Sequence, residues 1–134
     1  MALLIKTYID KSNISGIGLF AVEYIPIGTI TWKFKLGFDL LLDQPSIYDD
    51  EILRKYIEKY AYYEPNFKKY VLCSDNARFM NHSDNPNTIG SYDCDSMGGC
   101  DISIRDIKPN EELTCNYYLF DIDANNKLKD FIAV

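Results

Sequence analysis

Arg78-Phe79-Met80-Asn81-His82-Ser83, continued by Asp84-Asn85-Pro86-Asn87, is a run of short amide, imidazole and hydroxyl side chains closed by Asn-Pro. Proline restricts the residue before it to an extended geometry and removes a backbone donor. Such a loop can present several polar groups to one small ligand. About thirty residues later comes Glu112-Leu113-Thr114-Cys115-Asn116-Tyr117, where Leu113, Cys115 and Tyr117 fall on one face of a short strand. If the two segments meet, a phenol points inward beside the polar loop. A buried hydroxyl in that place suggests chemistry.

Working outward, the chain reads as many short strands. Leu3 to Ile9 and Leu19 to Tyr24 are predicted strands, and Ile30, Trp32, Phe34 and Leu36 alternate with polar residues at period two. Trp32 belongs to the core on that pattern. Ile25-Pro26-Ile27-Gly28 suits a turn, and Lys108-Pro109-Asn110 makes another before the Tyr117 strand. One helix interrupts them, over about residues 46–60. Ser46 is its expected cap, with Asp49 three residues on, and Leu53, Tyr56, Ile57 and Tyr60 recur at helical spacing. The expected fold class is mainly β.

Composition points to one compact domain over residues 1–134, a length able to bury roughly two-thirds of its surface. The opening Met1-Ala2-Leu3-Leu4-Ile5-Lys6 reaches a charge before an apolar run is long enough for a signal peptide. An intracellular protein is expected, cytoplasmic or nuclear, with no membrane partner. The formal charge is −6, from twenty acidic and fourteen basic residues. An acidic surface repels phosphates, so direct nucleic-acid binding is disfavoured and a basic protein partner favoured. Cys73, Cys94, Cys100 and Cys115 lack Cys-x-x-Cys spacing, and disulfides are not expected in a reducing cytosol. Cys94 and Cys100 flank a Gly98-Gly99 hairpin turn, which explains them without a metal.

The two opening segments resemble those of the SET-domain protein methyltransferases. In that family an Arg-Phe-hydrophobic-Asn-His-Ser segment crosses a Glu-Leu-x-x-Asp-Tyr segment in a pseudoknot. A third family feature is Ser15-Gly16-Ile17-Gly18-Leu19-Phe20-Ala21, followed by Ile25-Pro26-Ile27-Gly28, so the resemblance runs from about residue 13 to 120. It implies a fold of several short β-sheets with a pseudoknot, a variable insert over 38–68 carrying the helix, and a C-terminal closing segment over 118–134.

The resemblance also implies the activity: S-adenosylmethionine-dependent methyl transfer to a lysine of a protein substrate. Tyr117 matches the family's terminal tyrosine and is the expected catalytic residue. Gly16, Ile17 and Gly18, with Arg78, Phe79, Asn81, His82, Tyr117 and Phe120, are the expected cofactor contacts. Tyr62, Tyr63, Cys115 and Tyr118 are the expected walls of the substrate channel. His82, the single histidine, invites a base or metal role, but a lone imidazole without ligand-spaced partners is more often structural. Arg78 also suits a structural ion pair or a bond to nearby carbonyls. Glycine lets a backbone approach a ligand because no Cβ intervenes.

Three departures from the family pattern stand out. Asn116 replaces the usual Asp before Tyr117, keeping hydrogen bonding and losing a charge. Cys115, two residues before the tyrosine, is smaller than the aromatic residue often found there, so the channel should admit more than one methyl group. No cysteine follows Cys115, so the zinc segment of many relatives is absent and no metal is expected. Two alternatives accompany the favoured reading: a SET-fold binding module with little or no turnover, and a methyltransferase acting on something other than lysine.

Overall fold

A computed structural model describes residues 2–132 of the chain. Its strands are β1 (Thr7–Lys11), β2 (Ile17–Ala21), β3 (Ile30–Lys33), β4 (Leu40–Leu42), β5 (Tyr62–Glu64), β6 (Lys69–Leu72), β7 (Asn81–His82), β8 (Thr88–Ser91), β9 (Cys100–Ser103) and β10 (Glu112–Cys115). They form three small sheets, ordered β1-β2-β10-β7, β3-β9-β8 and β4-β6-β5. Leu19, Ala21, Ile25, Trp32, Val71, Ile107 and Leu113 meet in one buried cluster between them. The mainly β expectation holds. Among the described residues no helix is long and apolar enough to cross a membrane.

Strand β10 runs antiparallel to β2, with Leu113 opposite Leu19, and parallel to β7, with Thr114 opposite Asn81 and Cys115 opposite His82. The two segments quoted at the outset therefore lie side by side. A parallel pair of two residues is weak by itself, and the Asn85-Pro86-Asn87 loop reinforces it. Asn87 is fully buried; its Nδ2 donates to the Glu112 carbonyl (2.7 Å) and its Oδ1 accepts from the Thr114 N–H (2.8 Å). One side chain thus supplies the ladder bonds that an absent strand would have made.

Several boundaries differ from the sequence reading. Leu3 makes only an isolated bridge to Trp32, and β1 begins at Thr7. The alternation predicted from Ile30 to Leu36 stops early, because the register shifts between Ile30 and Trp32 and such a bulge turns side chains to a new face. Thr31 is buried, and Leu36 is exposed. The insert helix α1 spans Glu51–Tyr60, capped not by Ser46 but by Asp50, whose Oδ1 accepts from the Ile52 (2.9 Å) and Leu53 (3.2 Å) amides. Pro45-Ser46-Ile47 forms a separate 3-10 turn, and Tyr48 after it is extended, so the helix cannot start earlier. A second helix, α2 (Ala124–Ile132), lies in the closing segment, where no helix was anticipated. Its Lys127 is held by Asp121 Oδ2 and the Ala61 carbonyl, each at 2.5 Å.

The expectation of reduced thiols fails at Cys94 and Cys100, which form a disulfide. The hairpin turn, with Gly99 at φ +80, brings their Cα atoms to 6.5 Å, within bridging range. Cys73 and Cys115 are free and buried. Closing a loop this short contributes about 2 kcal/mol by constraining the unfolded chain. Reduction with a phosphine should lower Tm by on the order of 5–10 °C. A calorimetric Tm indifferent to reductant would show the bridge contributes nothing.

Candidate functional site

Asn81 ties three segments together. Its Nδ2 has four acceptors in reach: the Ser15 (3.0 Å) and Ile17 (3.3 Å) carbonyls, Ser12 Oγ (3.2 Å) and Glu112 Oε2 (2.9 Å). Ser12 Oγ in turn donates to Glu112 Oε1 (2.8 Å). The carboxylate between them stays satisfied although partly buried, as buried charge requires. Gly18 packs against this knot, where a Cβ would collide with the Glu112 carboxylate. Gly16 differs: its φ is +47 and the space beside it is empty. With no Cβ and nothing within 4 Å of where one would stand, Gly16 leaves its backbone open to approach.

His82 positions Tyr117. Its Nδ1 accepts from the Tyr117 amide (3.1 Å), which leaves the ring hydrogen on Nε2 facing Asp84 Oδ1 (2.8 Å). Both nitrogens are thereby used, and a metal or base role has no free atom. Asn116 caps the 3-10 turn over Tyr117–Leu119 by accepting from the Tyr118 amide (3.0 Å), a bond that Asp would make equally. The Tyr117 hydroxyl donates to the Met80 carbonyl (2.6 Å). Burial first, then the nearby Cys115, pushes this phenol far above its ordinary range. It is a fixed neutral dipole, not a base, and its oxygen lone pairs are left to the cavity.

That cavity, of about 490 Å³, is walled by Tyr60, Tyr62, Cys115, Tyr117 and Phe120. Arg78 lines it too, with its Nη1 on the Tyr56 hydroxyl and its Nε toward the Asp75 carbonyl (3.4 Å). Phe79 stands edge-on to Tyr60 at 5.7 Å. The structure separates the two predicted channel tyrosines of β5: Tyr62 faces the cavity, edge-on to Phe120 at 5.5 Å, whereas Tyr63 packs on Tyr70 outside it. Successive strand residues point to opposite faces, so both could not enter one channel. Tyr118, 49 % exposed, also lies outside, edge-on to His82 at 5.4 Å. Ile17, next to Gly16, is half-exposed as well. Among the described residues no cluster of His, Cys, Asp or Glu side chains is arranged to hold a metal ion.

Trp32, Gly90 and Asp101 are among the cavity residues that escaped the sequence reading. Trp32 is core, as expected, but it also lines the cavity, and its Nε1 is buried without an acceptor. Gly90 and Asp101 stand opposite each other across β8 and β9. Burial pushes the Asp101 carboxyl up to about 7. The available signal was a lone acid inside a predicted strand between Cys100 and Ile102, where a charge is out of place.

Comparison with known proteins agrees with this geometry. A humanized mutant of the Chaetomium thermophilum Polycomb Repressive Complex 2, bound to an inhibitor, superposes with a TM-score of 0.62 at 19% identity, over 91% of this chain and 16% of that one. A Plasmodium falciparum protein described as a histone methyltransferase gives 0.58 at 19% identity, over 86% of this chain and 95% of that one. The chain thus spans a small part of the Polycomb protein and nearly all of the Plasmodium one. At such identities the likeness shows the fold alone. No curated protein sequence matches the chain. The family model for the SET domain matches residues 16–118, and with most of its length covered, this chain belongs to the SET-domain family.

Proposed function

We propose that this protein transfers a methyl group from S-adenosylmethionine to lysine side chains of a protein substrate. The observation that carries the reading is the Tyr117 hydroxyl, locked on the Met80 carbonyl where the Asn81-His82 and Glu112–Tyr117 segments cross. When bound, the cofactor supplies an electrophilic methyl carried on a positive sulfonium. Gly16, Ile17 and Gly18, the Asn81-His82 strand, Arg78, Phe79, Tyr117 and Phe120 would hold it, an assignment supported by the empty space at Gly16 and the half-exposed Ile17 beside it.

The chain's own part is alignment and dryness. Tyr117 has spent its proton on Met80, so its oxygen can accept from the lysine amine and aim the nitrogen lone pair. The aromatic walls from Tyr62 and Phe120 disfavour a charged amine by desolvation. The acid-rich surface favours a basic protein partner. Labelled cofactor incubated with lysine-rich peptides, with and without Tyr117→Phe, tests the reading; no label transfer and no calorimetric cofactor binding would reject it.

The size of Cys115 adds a second prediction. This buried thiol on the cavity wall, held protonated by burial, leaves room for a methylated amine. Mass spectrometry at saturating cofactor should find dimethyl and trimethyl products, and Cys115→Tyr should confine them to monomethyl. A wild type that stops at one methyl group contradicts this.

A further inference from the structure

We infer that Asp101 receives the cationic head of the substrate lysine in the cavity and takes up one of its protons, making it a second substrate-contacting residue beside Tyr117; this rests on the methyl-transfer reading above.

The basis is an unpartnered carboxylate in a place that should not tolerate one. Asp101 lines the same cavity as Tyr117, Tyr62 and Cys115, and its charge helps push the Tyr62 hydroxyl and the Cys115 thiol upward, behind the larger effect of burial. No donor among the described residues lies within hydrogen-bond distance of its carboxylate; only its backbone carbonyl is engaged, by Thr31 Oγ1 at 3.3 Å. A desolvated carboxylate without a partner is costly. Opposite it, Gly90 contributes no side chain, and even a Cβ there would sit 3.8 Å from Asp101 Oδ1. Glycine therefore leaves the carboxylate open to the cavity. On β3, Trp32 pairs with Asp101 and stands in the same wall, its buried Nε1 without a partner. An acceptor left open on the cavity wall points to a donor that completes it.

The sign of that ligand follows from the cations already present. Lys127 is bound to Asp121 and the Ala61 carbonyl, Arg78 to the Tyr56 hydroxyl, and Lys59 lies over the Tyr60 ring at 5.2 Å. None is committed to Asp101. Of the other acids on the cavity, Glu64 accepts from the Tyr92 hydroxyl (2.9 Å) and Asp121 from Lys127. Tyr62, Cys73, Cys115 and Tyr117 line the same cavity, all shifted upward by burial and so protonated near neutrality. Asp101 is the one acid left to meet an incoming ammonium.

The proton step balances simply. One N–H bond of the ammonium breaks, its electron pair stays on nitrogen as the nucleophile, and an O–H bond forms on Asp101. The largely apolar wall favours the neutral amine and carboxylic acid over the separated charges. The raised carboxyl, near 7, is ionised above that pH and ready to accept, and protonated and unable to accept below it.

Trp32 is the single tryptophan, so its fluorescence reports on Asp101 with neither cofactor nor substrate present. The probe is n-butylammonium, with 1-butanol as the uncharged comparator, added to the full chain at pH 5.5 and 8.5. The expected result is n-butylammonium binding at least tenfold tighter at pH 8.5, an advantage lost in Asp101→Asn while 1-butanol binding is unchanged. Should that variant fail to fold, Asp101→Ser replaces it. Binding indifferent to pH, or retained in the variants, overturns the assignment. Methyl transfer intact with amine binding independent of Asp101 removes Asp101 and leaves the functional reading; Asp101-dependent binding without transfer to any lysine peptide does the reverse.

Discussion

Tyr117→Phe should lower methyl transfer by about 10²–10³-fold, the typical loss when one preorganised polar group is removed at a reacting centre. The fold should survive. The hydroxyl makes a single bond, to the Met80 carbonyl, and its loss costs about 1 kcal/mol, because the carbonyl is left without that donor. The ring keeps its edge-on contacts with His82 at 5.5 Å and Phe120 at 6.0 Å. The two readouts therefore separate: a small fall in Tm with a large fall in turnover, and cofactor affinity close to wild type. Near-normal turnover in the folded variant would take Tyr117 out of the chemistry.

Asn81→Ala should reverse that balance. The amide meets the Glu112 carboxylate, Ser12 and two carbonyls of the Gly16 loop. Truncation leaves buried acceptors unsatisfied, one of them charged, and should cost about 2–3 kcal/mol of stability. It also unties the Gly16 loop from β7, so calorimetry should show cofactor affinity falling more than tenfold. Asn85→Ala, in the loop after β7, exposed and with no side-chain bond, is the control and should lie within about 0.5 kcal/mol of wild type. Equal stability of the two variants would mean that Asn81 does not hold the crossing together.

The legible parts of this site were those whose residues identify themselves by order along the chain. Asn81, His82 and Tyr117 stood out because short polar side chains beside proline, and a tyrosine ending an alternating run, are unusual locally. Their contacts were not legible. That His82 would hold the Tyr117 amide, and Asn81 the Gly16 loop, depends on a parallel pairing of residues over thirty positions apart. Gly18 illustrates the same gap: the sequence showed a glycine, and only the neighbouring Glu112 explains why nothing larger fits. The cap of α1 moved from Ser46 to Asp50 because a proline turn came between.

Local patterning by itself pointed to many short strands interrupted by a helix expected over about residues 46–60 and found at Glu51–Tyr60, and the order of the Asn-His-Ser and Tyr117 segments marked them as the candidate site. Propensity, turn residues and alternation act over a few positions, and the sequence displays them directly. Only the tertiary structure decided which of Tyr62 and Tyr63 faces the cavity, that Cys94 and Cys100 pair, and that Asp101 stands unpartnered opposite Gly90. Those outcomes depend on distances between remote strands, and burial, which sets both the desolvation of Asp101 and the neutrality of Tyr117, exists only once the three sheets have closed on one another.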